Sequence, residues 1–188
     1  MRLKLPGWIH GRTIAGALII GAMLHIVVTL WSAKVSASRA FDAVAARLQV
    51  NRMQVLPPVT ASTQLYPFQA PDMRYAVCRF DATDGAIIVR ASLPGLGWSL
   101  SLHGAAGENF FVVAGQDGKR TDLALLLVPQ TDEFVPLPRD AAGQQNLAQV
   151  TLPNRQGLAI LRGPMQSPAY RAEVEAELAK ANCSQRRG

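Results

Sequence analysis

Hydrophobic residues change their spacing along the chain, and each change predicts a different element. From Ile14 to Leu30 the chain reads IAGALIIGAMLHIVVTL, 17 residues without a formal charge. A helix of this length spans about 25 Å, the short end of what crosses a bilayer. Trp8 and Trp31 lie near its ends, where amphipathic rings favour the membrane interface. The pattern predicts a transmembrane helix over residues 14–33.

The next segment, residues 34–71, is predicted to be a stalk helix followed by a Pro-rich linker. Within residues 38–50 four apolar side chains recur at helical spacing: Phe41, Val44, Ala45 and Leu48. The linker after them contains four prolines, which favour extended backbone: Pro57, Pro58, Pro67 and Pro71. We expect the linker to pack partly along the domain, because it also carries Leu56, Leu65, Tyr66 and Phe68.

Beyond residue 71 the period becomes alternating, which predicts β-strands separated by Gly, Pro and Asp turns. Five strands are predicted: Tyr75–Asp81, Ala86–Ser92, Gly97–His103, Asn109–Ala114 and Asp122–Val128. Two later segments, Leu147–Leu152 and Gly157–Arg162, are candidates for additional strands. In the third strand Trp98, Leu100 and Leu102 share one face, so one side of the sheet is expected to be packed and the other wetter. The fifth strand is apolar throughout its middle, as expected for a strand covered on both faces.

The last element, Pro168–Asn182, is predicted to be a helix. Ser167 is its expected N-cap, Pro168 suits the first helical position, and Tyr170, Val174 and Leu178 form its apolar stripe. The fold class that follows is mainly β: an antiparallel sandwich or partly open barrel in residues 72–188, with an N-terminal transmembrane helix and a C-terminal helix.

Counting charges by position changes what the total suggests. The chain has 19 Lys and Arg against 13 Asp and Glu, a formal net charge of +6, which would normally indicate nucleic acid or anionic membrane as a partner. Five basic residues and no acidic one lie in the first 40 positions, so the remainder is close to neutral. We therefore expect no nucleic-acid partner, and a basic leader over residues 1–13 that stays cytoplasmic.

Two other interpretations of the N-terminal segment stay open. A cleavable signal peptide would use Val35-Ser36-Ala37, a spacing of small residues that signal peptidases accept, although the apolar run exceeds the usual length of roughly 7 to 15 residues. A buried helix of a soluble protein could be equally apolar, but little of the chain is left to surround it. We expect an uncleaved anchor with the domain in the periplasm.

Cys78 and Cys183 are the only cysteines. Two cysteines in an exported domain are most simply a disulfide, which would join the first predicted strand to the end of the last helix. Two unrelated thiols in a cytosolic domain are the alternative.

Candidate chemistry is sparse. No cluster with zinc-ligand spacing is present, and His103 is the only imidazole of the domain. Ser99 and Ser101 lie near it but lack a nucleophile-elbow turn. A catalytic hypothesis would use His103, Glu108 and Asp117 near one end of the sheet. We predict no catalytic, cofactor or metal residues, and four candidate ligand-pocket residues: Trp98, His103, Glu108 and Phe110.

The stretch Ala76–Val113 resembles the bacterial domain-of-unknown-function family twelve fifty-four and its small membrane-anchored relatives. The similar elements are a Cys-Arg-Phe-Asp strand from Cys78, a Leu-Pro end at Leu93, a Trp-Ser-hydrophobic-Ser strand from Trp98, and an Asn-Phe-Phe strand from Asn109. The resemblance implies a β-rich envelope domain and supplies no catalytic residue.

Together these features predict a single-pass protein of the bacterial inner membrane. Its periplasmic sandwich is expected to be a non-catalytic binding or accessory subunit that has another envelope protein as its partner and needs no cofactor. The alternatives are a cell-wall or glycan-directed periplasmic enzyme and a carbohydrate-binding module.

Overall fold

A computed structural model describes residues 11–60, 69–130 and 147–186. Within these ranges the chain forms two helices, α1 (Gly11–Ala45) and α2 (Arg171–Ala179), with a short 3-10 turn, Pro168–Tyr170, leading into α2. The strands in the same ranges are β1 (Met53–Val55), β2 (Met73–Asp81), β3 (Ile87–Leu93), β4 (Ser99–Gly104), β5 (Asn109–Ala114), β6 (Thr121–Pro129), β7 (Leu147–Leu152), β8 (Gln156–Pro164) and β9 (Asn182–Gln185).

The strands form two sheets. The five-stranded sheet has the order β1-β2-β8-β4-β5, and the four-stranded sheet has the order β7-β6-β3-β9. Described strand pairs are antiparallel except β6 with β7, which run parallel. The prediction of a mainly β fold with an apolar N-terminal helix and a C-terminal helix is confirmed.

The principal core fills the space between the sheets. Alternate residues of β4, Leu100 and Leu102, point into it beside Trp98, as the period of two requires. The other face of β4 departs from the prediction of a wetter side, because Ser101 is fully buried. The middle of β6, Ala124–Val128, is buried at five consecutive positions, which confirms a strand covered on both faces.

α1 is one continuous helix with two environments. Its first part, Gly11–Ala33, is apolar enough to cross a membrane and has no buried residue. Its last turns lie on the outer face of the five-stranded sheet, where they form the docking cluster: Phe41, Val44, Ala45, Leu48, Leu56, Val77 and Leu158. The four apolar positions predicted for a stalk helix are all buried here.

The helix ends where the sheet provides a partner for it. The Arg79 guanidinium donates a hydrogen bond of 3.2 Å to the Ala45 carbonyl, one of the last carbonyls of α1, which have no partner within the helix. Asn51 then adopts a left-handed backbone, with φ of 55°, and its side chain bonds the backbone of Asp81 through both its oxygen and its nitrogen. These contacts reverse the chain direction into β1.

Part of the segment predicted as stalk and linker therefore belongs to the sheet. β1 pairs with β2, and Leu56 is buried in the docking cluster. Leu65, Tyr66 and Phe68, and most of the predicted leader, lie outside the described residues.

The C-terminal region differs from its prediction in three ways. The helix stops at Ala179, because the residues from Asn182 onward pair with β3 as β9. Ser167 makes no side-chain cap hydrogen bond. Tyr170 is 51% exposed, so it is not part of the buried stripe, whereas Val174 and Leu178 are buried in the principal core as predicted.

The predicted disulfide joins Cys78 and Cys183. Cys183 lies in β9 and not directly at the end of α2, so the bond connects the two sheets and does not attach the helix to one sheet, as the sequence had suggested. Both cysteines are buried in the principal core.

Candidate functional site

The four candidate ligand-pocket residues do not share one cavity. Trp98 is only 7% exposed, and its ring lies so close to Gly163 that a Cβ there would be 2.7 Å from it. Phe110 is half-buried and packs against the principal core. A carbohydrate-binding module needs an exposed ring on which a sugar can stack, so the burial of Trp98 argues against that alternative.

His103 belongs to a polar cluster on the outer face of the five-stranded sheet. Its Nε2 lies 3.1 Å from Ser101 Oγ, and Arg162 donates a 3.4 Å hydrogen bond to the same hydroxyl. Burial and the positive charge of Arg162 lower the pKa of His103, while a hydrogen bond with the Gly107 backbone and the charge of Glu108 oppose this. The lowered pKa favours the neutral imidazole at neutral pH.

The Ser101–His103 contact has the spacing of a nucleophile and its base, but Ser101 has no exposed surface. Neither residue lines either of the two clefts described below. The cluster is consequently a part-buried hydrogen-bond network around the buried Ser101 hydroxyl. A substrate could not reach the hydroxyl without displacing neighbouring side chains.

Glu108 is exposed in the turn between β4 and β5. Its carboxylate folds over Gly104, where a Cβ would collide with it, and it accepts a 2.9 Å hydrogen bond from the Asn154 side chain. Asp117, the third residue of the catalytic hypothesis, lies beyond the opposite end of β5. The structure thus does not bring His103, Glu108 and Asp117 together.

A cleft opens at the end of the domain that is remote from the apolar part of α1, formed by the connections that follow β3, β5 and β8 together with α2. We call it the distal cleft; its volume is about 530 Å³. Its lining residues are Pro94, Gly95, Leu96, Trp98, Asp117, Arg120, Pro164, Gln166, Tyr170, Glu173, Val174 and Glu177.

One wall of the distal cleft carries linked charges. Arg120 forms an ion pair with Glu177 and lies 3.4 Å from Asp122, and Lys180 reaches Glu177 at 2.6 Å. Burial raises the pKa of Glu177, but hydrogen bonds from Lys180 and Arg120 outweigh that effect and lower it. The pKa of Arg120 is raised, mainly by its hydrogen bond to Glu177. Both groups are charged at neutral pH, which fixes the position of the guanidinium.

Apolar side chains lie beside these charges. Leu96 is 71% exposed and Tyr170 about half exposed, while the buried Trp98 closes the bottom. Exposed aromatic and aliphatic groups next to fixed charges are the composition of protein recognition surfaces. Sequence reasoning identified only Trp98 and Asp117 here. The others come from segments far apart in the chain and share no motif.

A second cleft, the proximal cleft, lies at the other end of the domain, beside the apolar part of α1. Its volume is about 760 Å³. The lining residues are Trp31 and Val35 of α1, with Thr83, Ala105, Ala106, Asn154, Arg155 and Gln156 from three turns. Among the residues described in the structure, no three His, Cys, Asp or Glu side chains are grouped so that they could hold a metal ion.

The proximal cleft is bordered by two carboxylates that its lining residues hold in place. Asp81 accepts hydrogen bonds from the Thr83 hydroxyl at 2.6 Å and from the Gln156 amide at 2.7 Å. Burial raises the pKa of Asp81, but these hydrogen bonds and the charge of Arg79 outweigh it and lower the pKa. The Asn154 side chain donates a hydrogen bond to the Glu108 carboxylate.

Comparison with known proteins supports the fold and goes no further. No family model matches the chain, and no curated protein matches it. The VPA0106 protein of Vibrio parahaemolyticus has a similar structure, with a TM-score of 0.53 at 15% identity over 80% of this chain. An uncharacterized protein of Burkholderia cenocepacia gives a TM-score of 0.42 at 13% identity over 78% of the chain. The chain covers only 35% and 37% of these two proteins.

Proposed function

We propose that the chain is a single-pass inner-membrane protein whose periplasmic sandwich is a non-catalytic binding subunit of the cell envelope, with another envelope protein as its partner at the distal cleft. The observation that carries this proposal is the continuity of α1. The same helix that is apolar and has no buried residue over Gly11–Ala33 is packed into the domain at Phe41 and Val44. A domain attached by such a helix lies at a fixed distance from the membrane, with the distal cleft on the side facing away from it.

Two features support export of the domain. The disulfide between Cys78 and Cys183 requires an oxidising compartment, which for a bacterial protein is outside the cytoplasm. Arg2, Lys4 and Arg12 precede the apolar segment without any acidic residue, as expected for a cytoplasmic leader. The resemblance to the domain-of-unknown-function family twelve fifty-four belongs to the same proposal and adds an envelope location.

The composition of the distal cleft favours recognition over catalysis. Two of its charged groups, Arg120 and Glu177, are paired with one another, and its exposed large apolar members are Leu96 and Tyr170. Such a surface can exclude water from an apolar contact and orient a partner by charge.

The membrane topology is tested by substituted-cysteine labelling of intact cells, starting from Cys78→Ala/Cys183→Ala chains. A cysteine at Gln149, an exposed residue of β7, should react with a membrane-impermeant maleimide added outside the inner membrane. A cysteine at Arg2 should react only after the membrane is permeabilised. The reverse pattern would contradict the periplasmic location.

Partner binding is tested by a photo-crosslinking amino acid at Tyr170 of the full chain in living cells. We expect one discrete crosslinked species, which should weaken when Leu96→Asp or Arg120→Glu is added in the same chain. The same photo-crosslinker at Gln149, exposed but away from the cleft, is the matched control. Equal crosslinking from both positions, or none from Tyr170, would contradict binding at the distal cleft.

A further inference from the structure

The proximal cleft lies at the height of the membrane surface. The apolar segment Gly11–Ala33 is 23 residues long, about 35 Å of helix, so it matches a hydrocarbon core of about 30 Å. Trp31 is in the last turn of that segment, is 71% exposed and forms one wall of the cleft. Since tryptophan rings favour the lipid–water interface, the cleft opens where phospholipid headgroups lie.

The cleft combines an apolar wall with charges of both signs. Trp31, Val35, Ala105 and Ala106 form the apolar side. Arg155 is exposed in the turn between β7 and β8, and its guanidinium makes no ion pair within the described part of the chain. Its backbone carbonyl accepts a 2.8 Å hydrogen bond from Ala82, which fixes the turn.

The negative charges come from the two carboxylates bordering the cleft. Asp81 is held by Thr83 and Gln156, and Glu108 is held by Asn154. These hydrogen bonds and the charge of Arg79 lower the pKa of Asp81 despite its burial, so the carboxylate stays charged beside the cleft. A ligand in the cleft therefore has one guanidinium, that of Arg155, on the lining, and two carboxylates that lie one hydrogen bond behind the lining. Charges of both signs match a zwitterion better than an anion.

We propose that the proximal cleft binds a phospholipid whose headgroup carries both a phosphate and a primary amine, taken from the leaflet on the domain side. Arg155 contacts the phosphate, and the ammonium lies toward Asp81 and Glu108. The glycerol and upper acyl carbons cover Trp31, Val35 and the two alanines. This site rests on the membrane placement of α1 given above, but not on the existence of a partner at the distal cleft.

The experiment is native mass spectrometry of the full chain in detergent, titrated separately with phosphatidylethanolamine, phosphatidylglycerol and phosphatidylcholine. We expect phosphatidylethanolamine adducts at the lowest concentration, because among these three lipids only its headgroup has both a phosphate and a primary ammonium whose N–H groups can donate hydrogen bonds. Arg155→Ala should weaken this binding about tenfold, the effect of losing one charge-assisted hydrogen-bonded contact. Ala106→Trp, which fills the cleft from an exposed position, should weaken it to a similar degree.

Arg90→Ala is the matched control, because Arg90 is an exposed arginine in the middle of β3, outside the cleft. It should leave lipid binding unchanged. The proposal is overturned by equal binding of the three lipids, by unchanged binding in the Arg155→Ala chain, or by equal losses at Arg155 and Arg90. Membrane placement is checked separately: release of the chain from native membranes by alkaline carbonate would contradict the membrane anchor itself.

Discussion

A single buried arginine shows how the terminal helix is fixed to the sandwich. Arg74, in β2, is almost completely buried, and its Nη2 donates to the Leu56 carbonyl at 3.0 Å and to Glu175 of α2 at 2.6 Å. A buried charge is tolerated only when it is paired and hydrogen-bonded. This guanidinium therefore ties the chain after β1 and the helix α2 to the same strand.

Close approach of the Trp98 ring to the backbone makes Gly163 a sensitive position. Gly163→Ala would place a methyl group 2.7 Å from the ring, so we expect a loss of about 1 to 3 kcal/mol in the free energy of unfolding from overpacking. Gly95→Ala is the matched control, because its nearest neighbour is 3.8 Å away. Chemical denaturation of the full chain in detergent measures both; equal effects would show that the ring can move aside.

The pKa of His103 predicts a dependence of stability on pH. Burial and Arg162 lower the pKa of the folded imidazole below its ordinary value of 6.5, so the unfolded chain binds more protons. The contribution is fully present above about pH 6.5 and is lost as the pH falls through the folded pKa, with a slope of at most about 1.4 kcal/mol per pH unit.

Denaturation midpoints between pH 7.5 and 5 check this dependence. His103→Asn should remove its share of the slope. Arg162→Gln removes the neighbouring positive charge that lowers the pKa of His103, so it should also make the free energy of unfolding depend less steeply on pH. A slope that persists unchanged in both variants would show that other groups cause it.

The helix α1 acts as anchor and structural element at once, because its hydrophobic pattern changes along its length. In Gly11–Ala33 apolar residues occur on every side of the helix, as expected for a helix surrounded by lipid. In its last turns the buried residues Phe41, Val44 and Ala45, followed by Leu48, share one side, and this side lies on the sheet. Because α1 is continuous from Gly11 to Ala45, it connects the membrane segment rigidly to the domain.

Shortening a side chain of the docking cluster should weaken the contact between α1 and the sheet. Phe41→Ala should lower the free energy of unfolding by about 3 kcal/mol, the usual effect of removing a buried aromatic ring. It should also accelerate tryptic cleavage after Arg47, which follows the helix. Asp42→Ala, an exposed neighbour on the same turn, should change neither. Unchanged cleavage in the Phe41 variant would mean that the helix stays docked without the ring.

The disulfide is the covalent link between the two sheets of the molecule. Its cysteines are 105 positions apart, one in β2 and one in β9, so the closed loop contains most of the domain. Cys78→Ala/Cys183→Ala should lower the free energy of unfolding by about 2 to 4 kcal/mol. Since both sulfur-bearing residues are buried, a mild reductant should act only on the unfolded chain.

Alkylation followed by mass measurement tests the bond directly. The native protein should show no reactive thiol without denaturant and two after reduction under unfolding conditions. Two reactive thiols in the protein taken from non-reduced membranes would contradict the bond and the argument for export that depends on it.

Periodicity was sufficient to predict five strands and two further candidates, because alternation is visible in strands such as β4, where Leu100 and Leu102 face the core. It could not predict β1 and β9, which are three and four residues long and too short to show an alternation. Nor could it predict strand order. Nothing in the sequence of β8 marks it as the neighbour of both β2 and β4.

The apolar helix, the strand positions, the terminal helix and the cysteine pair are local or unique features, so they can be read from the chain before any fold is known. The two clefts could not be predicted from the sequence, because each forms where segments that are distant in the chain meet. Trp31 faces Arg155, and Trp98 shares a cleft with Tyr170, only because the sheets and α1 pack as they do. Tertiary packing also decided that Trp98 is buried, because the sheet determines which face of a strand points inward. It separated His103 from Asp117, because the turns that carry Glu108 and Asp117 lie at opposite ends of β5.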